Sequence, residues 1–206
     1  MSHRQPVPLD ARPVQLRGSR LARSALRLAG WRLQFDGLPA RRGVLVVYPH
    51  TSNWDFPVAM LAKWAAGMQV RFWAKDTLFQ VPGFGRWLRW LGGIPVLRRA
   101  PQGVVAPMVQ RLREAAERDE FFWLALSPEG TRARTEGWRS GFYQVALGAG
   151  VPIGLAYIDY PSRRVGLAGF LQLCGEPASD LAAIAERLAH HRGKRPALAA
   201  PIRMGR

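Results

Sequence analysis

The chain has 206 residues and is 48% hydrophobic, enough for one domain to bury a continuous core and too apolar for a disordered protein. Its formal net charge of +16 is unusual and bears on partners, not on fold. A single cysteine, Cys174, excludes an intrachain disulfide and fits a reducing compartment, where it reads as a small core hydrophobe.

Nearly all of the basic residues are arginines; the lysines are Lys63, Lys75 and Lys194. Residues 1–42 hold nine arginines against Asp10 and Asp36, a net of +7 (9 − 2). Nucleic acid or the anionic cytoplasmic face of a membrane would suit that charge, and codon bias toward Arg would also produce it. The N-terminus lacks the continuous apolar stretch of a signal peptide. No segment approaches the ~18–20 uncharged apolar residues of a spanning helix, and Lys63 interrupts the best candidate, 56–68. The expectation is a protein that lies on a membrane or is soluble.

Residues 1–18 are rich in Pro and Arg and read as irregular. From Ser19 to Trp31, Leu21, Leu26, Leu28 and Trp31 alternate with Arg20, Arg23 and Arg27. That pattern fits a basic amphipathic helix, either resting in a lipid interface or packing with a solvated Arg face. Val44 to Tyr48 is a β-branched run that reads as a strand buried on both faces, closed by Pro49. Pro57 to Ala66 reads as a helix with Pro in its first turn. Val70 to Ala74 reads as a short strand. A Gly-, Pro- and Trp-rich stretch at 82–93 leads to the apolar segment 94–97. Residues 108–118 carry the 3.6-residue period of a surface helix, and 121–126 the pattern of a buried strand.

Ser140 to Leu147 is a helix ended by Gly148 and Gly150. Pro152 to Tyr160 and Val165 to Phe170 are closing strands, and Asp180 to His190 is an amphipathic helix before a basic, frayed tail at 191–206. Strands alternating with helices predict a single α/β domain whose mostly parallel central sheet is flanked by helices.

Chemistry first shows at His50-Thr51-Ser52-Asn53-Trp54-Asp55, where a strand gives way to a helix. Open α/β sheets bind ligands at such carboxyl ends of strands. Ser52 and Asp55 have the spacing of a capping box, with Ser52 as N-cap. One reading leaves Asp55 a cap and His50 a loop histidine. The other folds Asp55 back onto the imidazole as the orienting acid of a general base.

Three further segments follow in order. Arg98 ends the G-x-I-x-x-R run at 92–98, E-G-T-R occupies 129–132, and V-P-I occupies 151–153. With H-x4-D at 50–55, these resemble the four blocks of the lysophospholipid acyltransferase family, typified by 1-acyl-glycerol-3-phosphate acyltransferases. Ala74-Lys75, Leu78-Phe79 and Pro82 to Gly85 resemble the family's linking segment. The resemblance spans roughly 43–170, and Thr51 to Asp55 is similar to a subgroup of small bacterial members.

What the resemblance implies is a glycerolphosphate-acyltransferase-like fold over 43–190, preceded by the basic segment 1–42 and followed by the basic tail 191–206. His50 would be the general base on a glycerol hydroxyl, with Asp55 as its partner. Arg98, Glu129, Gly130, Thr131 and Arg132 would form the acyl-acceptor site, the arginines holding its phosphate, and Lys75 would add a phosphate contact. Arg99 and Arg134 read as structural or solvated charges.

An alcohol needs a base to withdraw its proton, whereas a thioester carbonyl needs no covalent acyl-enzyme. Backbone N–H groups at 51–54 are candidate oxyanion donors. The expected activity moves a fatty acyl group from acyl-CoA or acyl carrier protein to a lysophospholipid, foremost 1-acyl-glycerol-3-phosphate. The alternatives are a lyso-aminolipid or glycolipid acceptor, or a basic lipid- or nucleic-acid-binding protein without catalysis. No metal or cofactor is expected, and no nucleic-acid motif accompanies the charge. Chain location is expected to be peripheral, on the cytoplasmic face of the membrane. The Arg- and Trp-rich stretch Phe84 to Trp90 either faces lipid or packs in the core.

Overall fold

In a computed structural model, residues 5–96 and 103–205 are described. The chain runs β1 (Val7–Pro8), α1 (Arg20–Leu28), β2 (Arg32–Gln34), β3 (Arg42–Val47), α2 (Asp55–Ala66), β4 (Val70–Lys75), α3 (Phe84–Trp90) and β5 (Gly93–Val96). It continues through α4 (Val105–Glu117), β6 (Phe122–Leu126), α5 (Gly141–Ala149), β7 (Ile153–Asp159), β8 (Arg164–Gln172) and α6 (Pro177–Leu188).

The strands form one sheet in the order β1-β8-β7-β3-β6-β4-β5, with β2 also on β8. From β7 to β5 every pairing is parallel, while β8 runs antiparallel to β7 and β1. This is the expected α/β architecture, mostly parallel with a mixed edge. The apolar run of β3 suits a central strand. Val44, Leu45 and Val46 are all buried because helices cover both faces.

Val44, Val46 and Leu124 pack with Met108 and Leu112 of α4, Phe142 and Val145 of α5, and Ile184 and Leu188 of α6. On the other face, Leu26 of α1 and Val58 and Ala62 of α2 pack against Ile158 and Val165. Trp87 of α3 meets Phe56 of α2 edge-on at 6.2 Å, which puts α3 in the same layer. The result is three layers, α1–α3 and α4–α6 enclosing the sheet.

Local chemistry explains several helix ends. The Ser19 hydroxyl accepts from the Ala22 N–H at 3.2 Å, capping α1. Gly67 closes α2 at φ +76°, and a Cβ there would lie 2.5 Å from the Arg17 carbonyl oxygen. The Gly-, Pro- and Trp-rich stretch at 82–93 holds helix α3, which its composition did not announce. Arg98 and Arg99 lie outside the described residues.

Two local expectations fail. Ser52 does not cap α2: the helix begins at Asp55 after Trp54, and the Ser52 hydroxyl accepts from Trp54 N–H at 3.2 Å. Nor is the C-terminal segment frayed. Ala200 is fully buried, the Tyr48 hydroxyl donates to its carbonyl at 3.0 Å, and Trp138 N–H donates to Arg203 at 2.7 Å.

Candidate active site

Because β7, β3, β6 and β4 are adjacent and parallel, their carboxyl ends meet on one edge of the sheet. That edge gathers Tyr160 after β7, His50 after β3, residues 129–132 after β6 and Lys75 at the end of β4. Arg98 cannot be placed, since it falls outside the described residues.

His50 Nδ1 faces Asp55 Oδ2 at 3.2 Å. The same Oδ2 accepts the Thr51 and Ser52 N–H groups at 2.8 and 2.9 Å, and Oδ1 accepts the Tyr160 hydroxyl at 2.8 Å. Asp55 therefore opens the helix and turns back to cap the chain before it. Burial pushes its pKa up, but the hydrogen bonds from His50, the Ser52 backbone and Tyr160 outweigh that and hold it below the ordinary carboxylate value. The Tyr160 hydroxyl is driven upward by burial and by this carboxylate, so it stays a donor.

With Nδ1 committed to Asp55, Nε2 is the imidazole nitrogen that can take a proton, and the carboxylate stabilises the imidazolium that results. The His50 side chain retains 22% exposure, so a substrate can reach it.

Glu129 lies behind this loop, only 1% exposed. Its Oε2 accepts the His50 N–H at 2.6 Å, and its Oε1 accepts the Ala200 N–H at 2.9 Å. Burial raises its pKa, partly offset by those two N–H groups. A carboxylate enclosed in this way ties the His50 loop to the segment at Ala200.

Gly130, at φ +65°, turns the chain, and a Cβ there would lie 2.7 Å from Arg139 Nε. Thr131 Oγ1 accepts the Ala133 N–H at 3.3 Å. Arg132 and Lys75 are exposed on the same edge of the sheet as His50, where a cation can meet an anion. Arg134 donates to the Ala197 carbonyl at 3.3 Å, a structural role as expected.

Of the N–H groups at 51–54, three are already used: Thr51 and Ser52 by Asp55, and Trp54 by Ser52. Asn53 N–H is thus the remaining backbone candidate for an oxyanion.

The C-terminal segment straps the loop from outside. Arg195 N–H donates to Thr51 Oγ1 at 3.2 Å, and Tyr160 N–H donates to the Arg192 carbonyl at 3.0 Å. Gly193 rests against Thr51, and a Cβ there would fall 2.4 Å from Thr51 Oγ1. No local pattern in the sequence marks Tyr160, Gly193 or Ala200, because their partners Asp55, Thr51 and Glu129 lie 71 or more positions away. Among the described residues no group of His, Cys, Asp and Glu is placed to hold a metal.

Comparison with known proteins bears on the fold and the family. The structure resembles the 1-acyl-sn-glycerophosphate acyltransferase PlsC of Thermotoga maritima, with a TM-score of 0.54 and 19% identity over 80% of this chain and 72% of that one. No curated protein sequence matches the chain. The family model described as Acyltransferase matches residues 32–157, more than half of the sequence and inclusive of both His50–Asp55 and 129–132. The chain belongs to the acyltransferase family and is an acyl-transferring enzyme.

Proposed function

We propose that the protein transfers a fatty acyl group from an acyl thioester to the free hydroxyl of a lysophospholipid, foremost 1-acyl-glycerol-3-phosphate. The observation that carries this reading is the His50–Asp55 pair at 3.2 Å, on a loop that Glu129 and Tyr160 hold from behind. His50 Nε2 takes the hydroxyl proton as the oxygen attacks the thioester carbonyl carbon. The tetrahedral intermediate collapses with loss of the thiolate, which recovers the proton from His50. An ester and a free thiol result, and the enzyme returns to its starting state.

Arg132 and Lys75 supply the cations that a phosphorylated acceptor requires, and Arg98 joins them by the family resemblance. An apolar cavity of about 100 Å³ between α2 and the sheet supports a fatty acyl group as the transferred unit. Its walls include Leu45, Val47, Ala59, Met60, Phe72 and Ile158, and flexible Met60 can yield to an entering chain. The donor is acyl-CoA or acyl carrier protein, both anionic and suited to a basic surface.

The enzyme works at the cytoplasmic face of a membrane, bound peripherally. Among the described residues no helix is long and apolar enough to cross a bilayer. The exposed large hydrophobics among those residues, Val7 apart, all lie on α1, on Trp54 and α2, or within 76–90. The reading is tested by offering purified protein acyl-CoA or acyl carrier protein with a panel of lysolipids and following thiol release. Turnover with lysophosphatidic acid is expected, with a loss of about a thousandfold or more in His50→Ala. Turnover that survives His50→Ala would overturn it.

A further inference from the structure

A second concavity, of about 940 Å³, opens between α1, the C-terminal half of α2 and the start of β4. Arg71 on its wall adjoins Val70, which pairs with Trp123, the partner of Gly43 at the start of β3. This groove is therefore at the opposite end of the sheet from His50, roughly 20 Å away at the rise of a strand.

Its walls combine Arg17, Lys63 and Arg71 with Trp64, Trp90 and Leu21. Trp64 and Trp90 lean on one another at 6.2 Å, and Trp90 is 73% exposed. The Lys63 ammonium donates to the Leu91 carbonyl, and no lining residue is a carboxylate. Lys63 is held below its ordinary pKa by burial and then by the charge of Arg71.

Nearby acids are already engaged. Asp119 pairs with Arg41 and Arg42, and Glu120 pairs with Arg118. Residues 17–31 and 54–96 contain only two carboxylates, buried Asp55 and Asp76. Beside the groove, α1 and α3 expose Arg20, Arg27, Arg86 and Arg89 next to Leu21, Leu28 and Trp87.

Unneutralised cations under a rim of indoles and leucines match one ligand chemistry, a phosphate that carries apolar chains. Arginine meets phosphate oxygens through its planar fork, and Trp favours the depth at which headgroups lie. We propose that this groove binds the headgroup phosphate of an anionic phospholipid and seats the α1–α3 layer on the bilayer. The groove lies at the other end of the sheet from His50, and its floor at Lys63, Met68 and Val70 backs onto the apolar cavity under α2. The inference rests on the membrane-surface reading above for its purpose, and not on the acyl-transfer chemistry.

The test uses full-length His50→Ala protein, so that binding is read without turnover. Sedimentation with phosphatidylglycerol–phosphatidylcholine vesicles and with phosphatidylcholine alone is compared for three forms. They are the parent, Arg17→Glu/Arg71→Glu, and Arg111→Glu/Arg113→Glu, which makes the same charge change on α4 in the opposite layer. The groove pair is expected to weaken binding to the anionic vesicles at least about tenfold, and the α4 pair much less.

Quenching of tryptophan emission by brominated lipid should report insertion in the parent and fall in Trp90→Ser. Equal losses in both charge pairs would reduce the effect to net charge and overturn the groove. An unchanged groove variant, or no binding by the parent, would overturn it as well. Competition by inorganic phosphate alone, without vesicle binding, would show an anion site and overturn the lipid assignment. Failure of thiol release in the unmutated enzyme would count against the acyl-transfer reading and leave this result standing.

Discussion

Tyr160 and Asp55 are 105 residues apart in the chain, yet the tyrosine hydroxyl donates to Asp55 Oδ1 at 2.8 Å. β7 is hydrogen-bonded beside β3, so the residue after β7 reaches the carboxylate that orients His50. Tyr160→Phe removes one bond to an anion and leaves the ring packed against Trp31. The expected result is a fall in kcat of about tenfold with KM little altered. The acid limb of the rate profile should also move to higher pH, because Asp55 loses a group that holds its pKa down. A changed KM with kcat intact would contradict this account.

Glu129→Gln tests the enclosed carboxylate. Both of its oxygens accept N–H groups, from His50 and Ala200, and an amide can offer only one acceptor oxygen there. One buried N–H must then face an NH2 donor, at a cost of about 1–3 kcal/mol. The variant should lose about 10- to 100-fold in kcat, and thermal unfolding should show whether the fold persists. If Glu129 contacted the acceptor, the change would appear mainly in KM for lysolipid.

Gly193→Ala probes the strap. Alanine at this backbone is sterically sound in itself, but its Cβ would meet Thr51 Oγ1 at 2.4 Å and Pro49 Cγ at 3.3 Å. Thr51 must shift, carrying with it an N–H bonded to Asp55. Kinetics should show kcat reduced by about 10- to 100-fold, as expected for small misplacement of a catalytic group. Thr51→Ala in the same chain makes room and should restore part of the loss. No recovery would mean that the strap acts by another contact.

The pH dependence of stability separates the two buried carboxylates. Asp55 has a lowered pKa in the folded state, so its contribution is present above the ordinary carboxylate range and disappears as pH falls through the folded value. Glu129 has a raised pKa, so its protonation on acidification acts in the opposite direction and favours the folded form. Denaturant midpoints measured from neutral to acidic pH should decline less steeply in Asp55→Asn than in the unmutated enzyme. For Glu129→Gln the decline should be steeper. Parallel curves for all three forms would dismiss both assignments.

The strands with strong β-branched or apolar runs were legible in the sequence, as were the amphipathic helices, because each satisfies a local period. Arg32–Gln34 and Val7–Pro8 escaped notice because two or three residues carry no period at all. Helix α3 hid behind Gly83 and Gly85, whose composition reads as loop; there the fold overrides propensity by burying Leu88 and packing Trp87 on Phe56.

The H-x4-D spacing pointed to two side chains that do meet, at 3.2 Å, but to the wrong local geometry. A capping box assigns the cap to Ser52, whereas the N–H groups of Thr51 and Ser52 point to Asp55. Glu129 was visible as a motif residue, but its burial was not, since the Ala200 segment that covers it lies beyond the family's pattern at 32–157.

That covering has a consequence for when the loop can be held in place. A growing chain that has emerged only to residue 190 already contains His50, Asp55 and Glu129. It still lacks the Ala200 N–H that shares the glutamate and the Arg195 N–H that fixes Thr51. Synthesis proceeds from the N-terminus, so the loop that carries His50 gains these two supports only after residues 195–200 have been made. A polypeptide that stops short of Arg195 would lack both of these supports for the loop that carries His50.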